Sequence, residues 1–367
     1  MEKVKLQDVA SFSKGQQING DELIENGQYE YLNGGINPSG HWKEFNVNGN
    51  TVTISEGGNS CGYINYMKFP FWCGAHCYYL YNLKIDSKYL YYALKSQQEK
   101  IMKLRSGACM PNIKKSDLGN FELIISTDVN IQNQTVIILE NISELINKRK
   151  EQLSKLDELV KARFVELFGN VIRNDKGWEQ YTFSDIATSR LGKMLDAKQQ
   201  TGKYAYPYLA NFNVQWFRFE IENLNKMDFN EVDRQEFELR DGDLLVCEGG
   251  EIGRCAVWHN EIQPCYFQKA LHRVRCNQHI VLPDYMAWWF KYNCDHKGFA
   301  AIEGAKATIA HLPGVKLKAL KVTVPPIELQ NQFAAFVKQT DKSKSAIQQS
   351  LDKLETLKMA LMQKYFG

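Results

Sequence analysis

Residues 131–169 read IQNQTVIILENISELINKRKEQLSKLDELVKARFVELFG, and residues 329–367 read LQNQFAAFVKQTDKSKSAIQQSLDKLETLKMALMQKYFG. At a constant offset of 198, Gln132-Asn133-Gln134 returns as Gln330-Asn331-Gln332 and Phe168-Gly169 returns as Phe366-Gly367. Between these ends Leu153, Lys155, Leu156, Leu159 and Ala162 return as Leu351, Lys353, Leu354, Leu357 and Ala360, making ten identities in thirty-nine ungapped positions. Such a repeat decides the architecture before any local reading. Neither copy contains proline, and glycine stands only at the last position of each. Ile142, Ile146, Leu153, Leu156, Val160 and Leu167 fall three, four or seven apart with Lys and Glu on the other faces, the period of an amphipathic helix. Pro325-Pro326 marks the entry of the second copy, and a glycine after the last apolar residue suits a helix C-terminus.

A helix of this length spans about 57 Å at 1.5 Å per residue, more than one domain needs. Two such helices bury matching stripes by packing on one another as a coiled coil. The predicted seam is Ile146, Leu153, Leu156, Val160 and Leu167 against Leu351, Leu354, Leu357 and Leu361. The alternative, in which each stripe covers only its neighbouring domain, does not explain why length and sequence are duplicated together.

The segments between the helices are related more faintly. At an offset of 177, Asp8, Ala10, Gly15, Tyr29, Tyr31 and Leu32 return as Asp185, Ala187, Gly192, Tyr206, Tyr208 and Leu209. The offset then grows to 192 for Glu56-Gly57-Gly58 and Glu248-Gly249-Gly250, to 196 for His76 with His272 and Tyr89 with Tyr285, and to 197 for Gly107-Ala108 with Gly304-Ala305. Growing offsets mean insertions in the loops of one fold. Short strand-like runs occur at 51–55, 78–81, 121–125, 243–247 and 256–258, with helix expected at 89–104 and 284–291, so each domain reads as mixed α/β. The organisation is a domain over 1–128, a long helix over 129–170, a second domain over 171–326 and a second long helix over 327–367.

With 44% hydrophobic and 24% charged residues in 367, the chain is of ordinary globular composition for two to three domains. No apolar run reaches the eighteen or so residues of a membrane helix, and Met1-Glu2-Lys3-Val4-Lys5 does not resemble a signal peptide. The nine cysteines are scattered without a C-x-x-C pair. Cys73 and Cys77 near His76 are read as small buried hydrophobes, so no metal site is expected, and free thiols in this number point to the reducing cytoplasm. A net charge of +3 permits a nucleic-acid partner without demanding one.

In its whole length the sequence resembles the specificity (S) subunits of type I restriction-modification enzymes. The matching features are the Gln-Asn-Gln helix start, Leu167-Phe168-Gly169 echoed by Tyr365-Phe366-Gly367, and the domain openings Leu6-Gln7-Asp8-Val9-Ala10 and Phe183-Ser184-Asp185-Ile186-Ala187. Gly107-Ala108-Cys109-Met110-Pro111-Asn112-Ile113 resembles the usual end of a recognition domain, and Val324-Pro325-Pro326-Ile327 with Gln330 the usual entry to the long helix. The resemblance implies two α/β target-recognition domains separated by two antiparallel helices in a pseudo-twofold repeat. Each domain would read one half of a split double-stranded DNA target, and the helices would set the gap. It also implies two methylation (M) subunits that bind S-adenosylmethionine, with restriction (R) subunits in the full enzyme. Two departures stand out: Gly304-Ala305-Lys306-Ala307-Thr308-Ile309 replaces the Pro-Asn-Ile ending in the second domain, and Thr127-Asp128 stands where the second helix has its proline pair.

Reading base edges takes Arg, Lys, Asn or Gln on loops, and backbone contact takes Lys, Arg and free N–H groups. The candidates in the first domain are Lys14, Gln16, Asn33, Gly57, Gly58, Asn59 and Arg105. In the second they are Arg190, Lys193, Asn211, Glu248, Gly249, Gly250, Lys269, Lys306 and Thr308. The glycine pairs either let backbone approach a phosphate or simply make hairpin turns. His76 and His272, in apolar strand-like context, are read as structural, and Trp42, Trp216 and Trp288-Trp289 as mostly core. No catalytic residue is expected. Val324-Pro325-Pro326-Ile327 lacks the amide and aromatic of a methylation motif, no phosphate loop is present, and Glu303 and Lys306 stand three apart where a nuclease cluster needs two. The competing readings are a stand-alone methyltransferase or nuclease with an unrecognised site, and a structural or carbohydrate-binding protein.

Overall fold

The computed structural model describes residues 1–107, 111–196, 200–299 and 311–367. It divides into unit 1, Met1–Leu153 with Ala346–Gly367, and unit 2, Ser154–Ser345. No helix among the described residues is long and apolar enough to cross a membrane.

Unit 1 contains strands β1 (Glu2–Lys5), β2 (Ser11–Lys14), β3 (Tyr29–Leu32), β4 (Gly40–Trp42), β5 (Thr51–Ser55), β6 (Ile64–Met67), β7 (Phe71–Cys73), β8 (Cys77–Tyr81) and β9 (Glu122–Ile125). They form a β1-β9 pair, a four-stranded sheet in the order β2-β8-β5-β6, and a three-stranded sheet β4-β3-β7. The central strand β5, Thr51-Val52-Thr53-Ile54-Ser55, alternates polar and apolar residues, yet Val52 to Ser55 are all buried. The helix expected at 89–104 is Ser87–Ser96, broken at Gln97 and resumed as Gln98–Met102, with Asp86 capping its start by accepting from the Tyr89 N–H at 2.8 Å.

Unit 2 repeats this order. Its strands are β10 (Glu179–Thr182), β11 (Ala187–Leu191), β12 (Ala205–Leu209), β13 (Val214–Gln215), β14 (Arg218–Phe219), β15 (Lys226–Asp228), β16 (Leu244–Cys247), β17 (Cys255–Val257), β18 (Tyr266–Phe267), β19 (Leu271–Cys276) and β20 (Lys321–Val324). They make a β10-β20 pair, the sheet β11-β19-β16-β17 and the sheet β15-β12-β18, matching unit 1 sheet for sheet. The hairpin β13-β14 is additional, and it lies in the stretch where the sequence offset jumps from 177 to 192.

Strand register corrects one sequence alignment. Ser55 pairs with Cys77 and Ile54 with Tyr78, whereas Cys247 pairs with Leu271 and Val246 with His272. His272 therefore corresponds to Tyr78, not to His76, because the local offset is 194.

The long helices are Val129–Phe168 and Ile327–Phe366, each of 40 residues. Within unit 1, Ile142, Ile146 and Leu153 of the first pack against Leu351, Leu354 and Leu361 of the second, and Lys150 pairs with Glu355 at 2.9 Å. Within unit 2, Val160, Phe164, Leu167 and Phe168 pack with Leu329, Phe333 and Phe336, and Asp157 pairs with Lys344 at 2.5 Å. In each unit rising numbers on one helix meet falling numbers on the other, so the pair is antiparallel. Leu156 is half-buried.

Leu357 does not belong to the seam. It is 48% exposed, and its counterpart Leu159 is 49% exposed. At 3.6 residues per turn the fourth residue after Leu156 and Leu354 comes into phase, not the third, so Val160 and Lys358 take the seam positions. The Lys358 ammonium lies 5.8 Å from the centre of the Tyr92 ring, and burial lowers its pKa.

The repeated helix start is explained by its first glutamine. Gln132 is buried, accepting from the Asp86 N–H at 3.2 Å and donating to the Ser126 carbonyl at 2.8 Å. Gln330 is buried likewise, accepting from Leu282 N–H at 2.8 Å and donating to the Pro325 and Ile280 carbonyls at 2.7 and 3.0 Å. A side chain with both donor and acceptor, tied to backbone alone, fixes each helix to its domain whatever side chains the domain carries. The repeated Phe-Gly ends close the other side: Phe366 meets Tyr89 at 5.1 Å in unit 1, and Phe168 meets Tyr285 at 4.9 Å in unit 2.

Candidate nucleic-acid interface

In unit 1 three loops converge where β3, β5 and β8 end or begin. Gly34, after β3, accepts through its carbonyl from the hydroxyls of Ser55 and Ser60, the latter at 2.6 Å. Asn33 accepts from the His76 N–H at 3.1 Å and donates to Gln17 at 3.1 Å. The Glu-Gly-Gly loop is held from the other side, with Gly58 N–H donating to the Pro111 carbonyl at 3.0 Å and Ile113 N–H to the Glu56 carbonyl at 2.9 Å. Gly58 has φ +73, a conformation that an L side chain rarely adopts.

These loops enclose an open cleft of about 760 Å³ lined by Lys14, Asn33, Gly57, Gly58, His76 and Asn112, with Glu56 among them. The Glu56 side chain is only 12% exposed and is paired with Lys14, while His76 Nδ1 stands 3.7 Å from it. The cleft thus presents the Glu56 carboxylate and the nitrogen-bearing side chains of Lys14, Asn33, His76 and Asn112 to one volume. Gln16 and Asn59 are exposed at its approaches, and Arg105, in the segment after the helix Gln98–Met102, is exposed and its charge opposes the rise that burial gives the Cys61 thiol pKa. His76 was read from sequence as structural; it is exposed in the cleft, and the missed signal was the register of β8.

Unit 2 builds the same junction with different side chains. Asn211 donates to the Gly249 carbonyl at 2.7 Å, and Arg254 donates to the Asn211 carbonyl and amide oxygen at 3.1 and 3.0 Å. Glu251 accepts from Trp216 Nε1 at 2.6 Å. Leu312 N–H donates to the Glu248 carbonyl at 2.7 Å, as Ile113 does to Glu56, and Gly250 has φ +77. Lys269 is exposed beside the junction, and Arg190, paired with Glu236, is also exposed. Two candidates are engaged within the domain. Lys193 pairs with Asp233 at 2.5 Å and donates to the Asp228 carbonyl at 2.7 Å, and the Asn211 amide is taken up as described. Lys306 and Thr308 lie outside the described residues, as do Ala108, Cys109 and Met110. Trp288 and Trp289 are core, while Trp42 and Trp216 are half-buried. Among the described residues no group of three or more His, Cys, Asp or Glu could hold a metal ion.

The corresponding residues Tyr78 and His272 do one job. Tyr78 Oη donates to the Ile113 carbonyl at 3.2 Å, and His272 Nε2 donates to the Leu312 carbonyl at 2.9 Å, each pinning the loop that closes the junction. Burial pushes the Tyr78 phenol up to about 12, with the Glu56 charge adding to it, so the hydroxyl remains a donor. Burial lowers the His272 pKa, opposed by the Leu312 carbonyl and Glu248 and assisted by Lys318. The folded protein therefore resists a proton that the unfolded chain accepts near pH 6.5, and this contribution to stability falls as pH drops below that value. His272→Tyr, which copies unit 1, is expected to reduce the difference in urea midpoint between pH 7.5 and 5.5; an unaltered difference would refute this role.

Residues 1–155 and 175–356 match the sequence family described as type I restriction modification DNA specificity domain. A putative type I specificity subunit of Mycoplasma genitalium is 31% identical over 211 residues, 53% of this chain and 54% of that protein. One of Mycoplasma pneumoniae is 40% identical over 160 residues, 43% of this chain and 41% of that protein. The chain thus spans about half the length of the curated relatives it matches. The crystal structure of a type I restriction-modification S subunit from M. genitalium superposes with a TM-score of 0.65 at 22% identity, covering 100% of this chain and 96% of that one. A chain from a structural study of complex assembly in the type I R-M system superposes at 0.61 and 13% identity, over 99% and 97%. Both share the fold.

Proposed function

Because the chain belongs to the family of type I restriction-modification DNA specificity domains, we propose that it is the non-catalytic recognition subunit of such an enzyme, each unit reading one half of a split double-stranded DNA target. The observation that carries this is the paired junction: one set of sheets, in one order, ends twice in the same three-loop meeting point, and the side chains there differ between the copies. Common scaffold with unlike loops is what two readers of unlike half-sites require. Direct readout would come from Glu56, His76 and Lys14 in one unit and from Lys269, Glu248 and the Gly249-Gly250 loop in the other, with exposed Arg105 and Arg190 toward phosphates.

The helix pair is the spacer. Forty helical residues extend about 60 Å, against about 34 to 36 Å per turn of DNA between half-sites on one face. Two methylation subunits would grip the helices and their flanking faces, bringing S-adenosylmethionine with them, and restriction subunits would join in the full cytoplasmic enzyme. Inserting four residues, about one helical turn, near Lys155 is expected to lengthen the unspecified gap and leave both half-sites intact. Mapping modified bases in cells carrying the chain with and without the insertion tests this; an unchanged gap contradicts the spacer role, and no split site at all contradicts the recognition role.

A further inference from the structure

Phe212 is 58% exposed, in a short 3-10 turn, Asn211–Asn213, that follows β12. One exposed aromatic is ordinary on a protein surface. Its mounting is not. Ala210 on one side is buried and donates its N–H to Asn213 Oδ1 at 2.9 Å; Asn213 on the other is buried and donates through its amide to the Glu220 carbonyl at 2.9 Å. Asn211 is tied to Gly249 and clamped by Arg254 through both of its oxygens. Gln215 donates to the Phe212 carbonyl itself at 3.0 Å. The residues on both sides of the ring are held by these bonds while the ring itself faces solvent, and its neighbour Asn211 is bonded to the Gly249-Gly250 loop. In the aligned stretch of unit 1, Asn33-Gly34-Gly35, the corresponding position is a glycine.

A rigid apolar side chain at the rim of a base-reading junction has one sequence-specific partner in the major groove, the 5-methyl group of thymine, since the other base edges offer donors and acceptors. We infer that Phe212 reads a thymine in the half-site taken by unit 2, its ring packing on the methyl group. This rests on the recognition role proposed above. Preorganisation strengthens the contact: the turn is already set, so little side-chain or backbone freedom is lost when DNA binds.

The test uses the chain assembled with its methylation partner on its own split target, with each thymine of the unit 2 half-site replaced singly by deoxyuridine, which removes only the methyl. One such replacement is expected to weaken binding about fourfold, the worth of one buried methyl-sized group. The same replacement is expected to have no effect in the Phe212→Ala complex, which itself binds the unmodified target roughly tenfold less tightly. Because Phe212 is exposed, the urea midpoint of the variant should match that of the parent chain. The inference is overturned if no thymine responds, if the half-site contains none, or if Phe212→Ala keeps the full deoxyuridine effect. A complex that binds no split sequence would refute the recognition role itself, a different outcome from binding that ignores the methyl.

Discussion

Phe164→Ala is expected to destabilise unit 2 by about 3–5 kcal/mol, the range for removing a large aromatic from a close-packed core. Phe164 is 1% exposed. Its ring lies 5.0 Å from Phe168, 5.5 Å from Phe333, 5.9 Å from Tyr285, 5.7 Å from Tyr292 and 6.2 Å from Trp288. Those rings come from both long helices and from the helix Pro283–Asp295, so the cavity would open where three elements meet. Rigid rings held from three sides collapse poorly into a void, which places the cost at the upper end of the range. Phe164→Leu keeps much of the volume and should cost about half as much. Urea unfolding followed by the fluorescence of Trp288 and its neighbours measures both; a loss under about 1 kcal/mol for the alanine variant would contradict the packing described.

The helices were the most legible part of the chain because their signal is long and repeated. Forty residues without internal glycine or proline, carrying the same stripe twice, leave one reading open. What fails is phase at a single step: spacing by threes from Leu351 and Leu354 puts Leu357 on the stripe, yet Leu357 and its repeat partner Leu159 both face outward, and the fourth residue, Lys358 as Val160, turns inward. Identity between repeats records a shared environment without saying whether that environment is buried. The mixed α/β class and most strands were legible from short apolar runs, and the hairpin β13-β14 was foreshadowed only as a jump in offset. The site was the least legible part, because it is made of loops joined by backbone hydrogen bonds. His76 reads as structural from its apolar, strand-like context, but it stands one residue before β8 and faces the cleft. Phe212 gave no signal, since exposure and a rigid mounting are properties of the folded turn. Lys193 and Asn211 look like readers in sequence because nothing there reveals Asp233, Asp228 or Arg254 beside them.

Exchanging residues 1–128 for the same domain of a relative is expected to replace one half-site completely and leave the other unaltered, the largest functional change a single cut can make. The junction of unit 1 lies wholly within the exchanged segment, and the cut at Asp128 precedes the first helical residue, Val129. The graft can be held without matching most side chains. Gln132 binds only backbone groups, those of Asp86 and Ser126, and the ring contact of Phe366 needs only an aromatic at position 89. The readout is the genome-wide position of modified adenines in cells carrying the parent or the exchanged chain together with the methylation subunit. The two-reader account predicts a new half-site on one side of an unchanged gap and the original half-site on the other. Loss or replacement of both half-sites by this one exchange would contradict it.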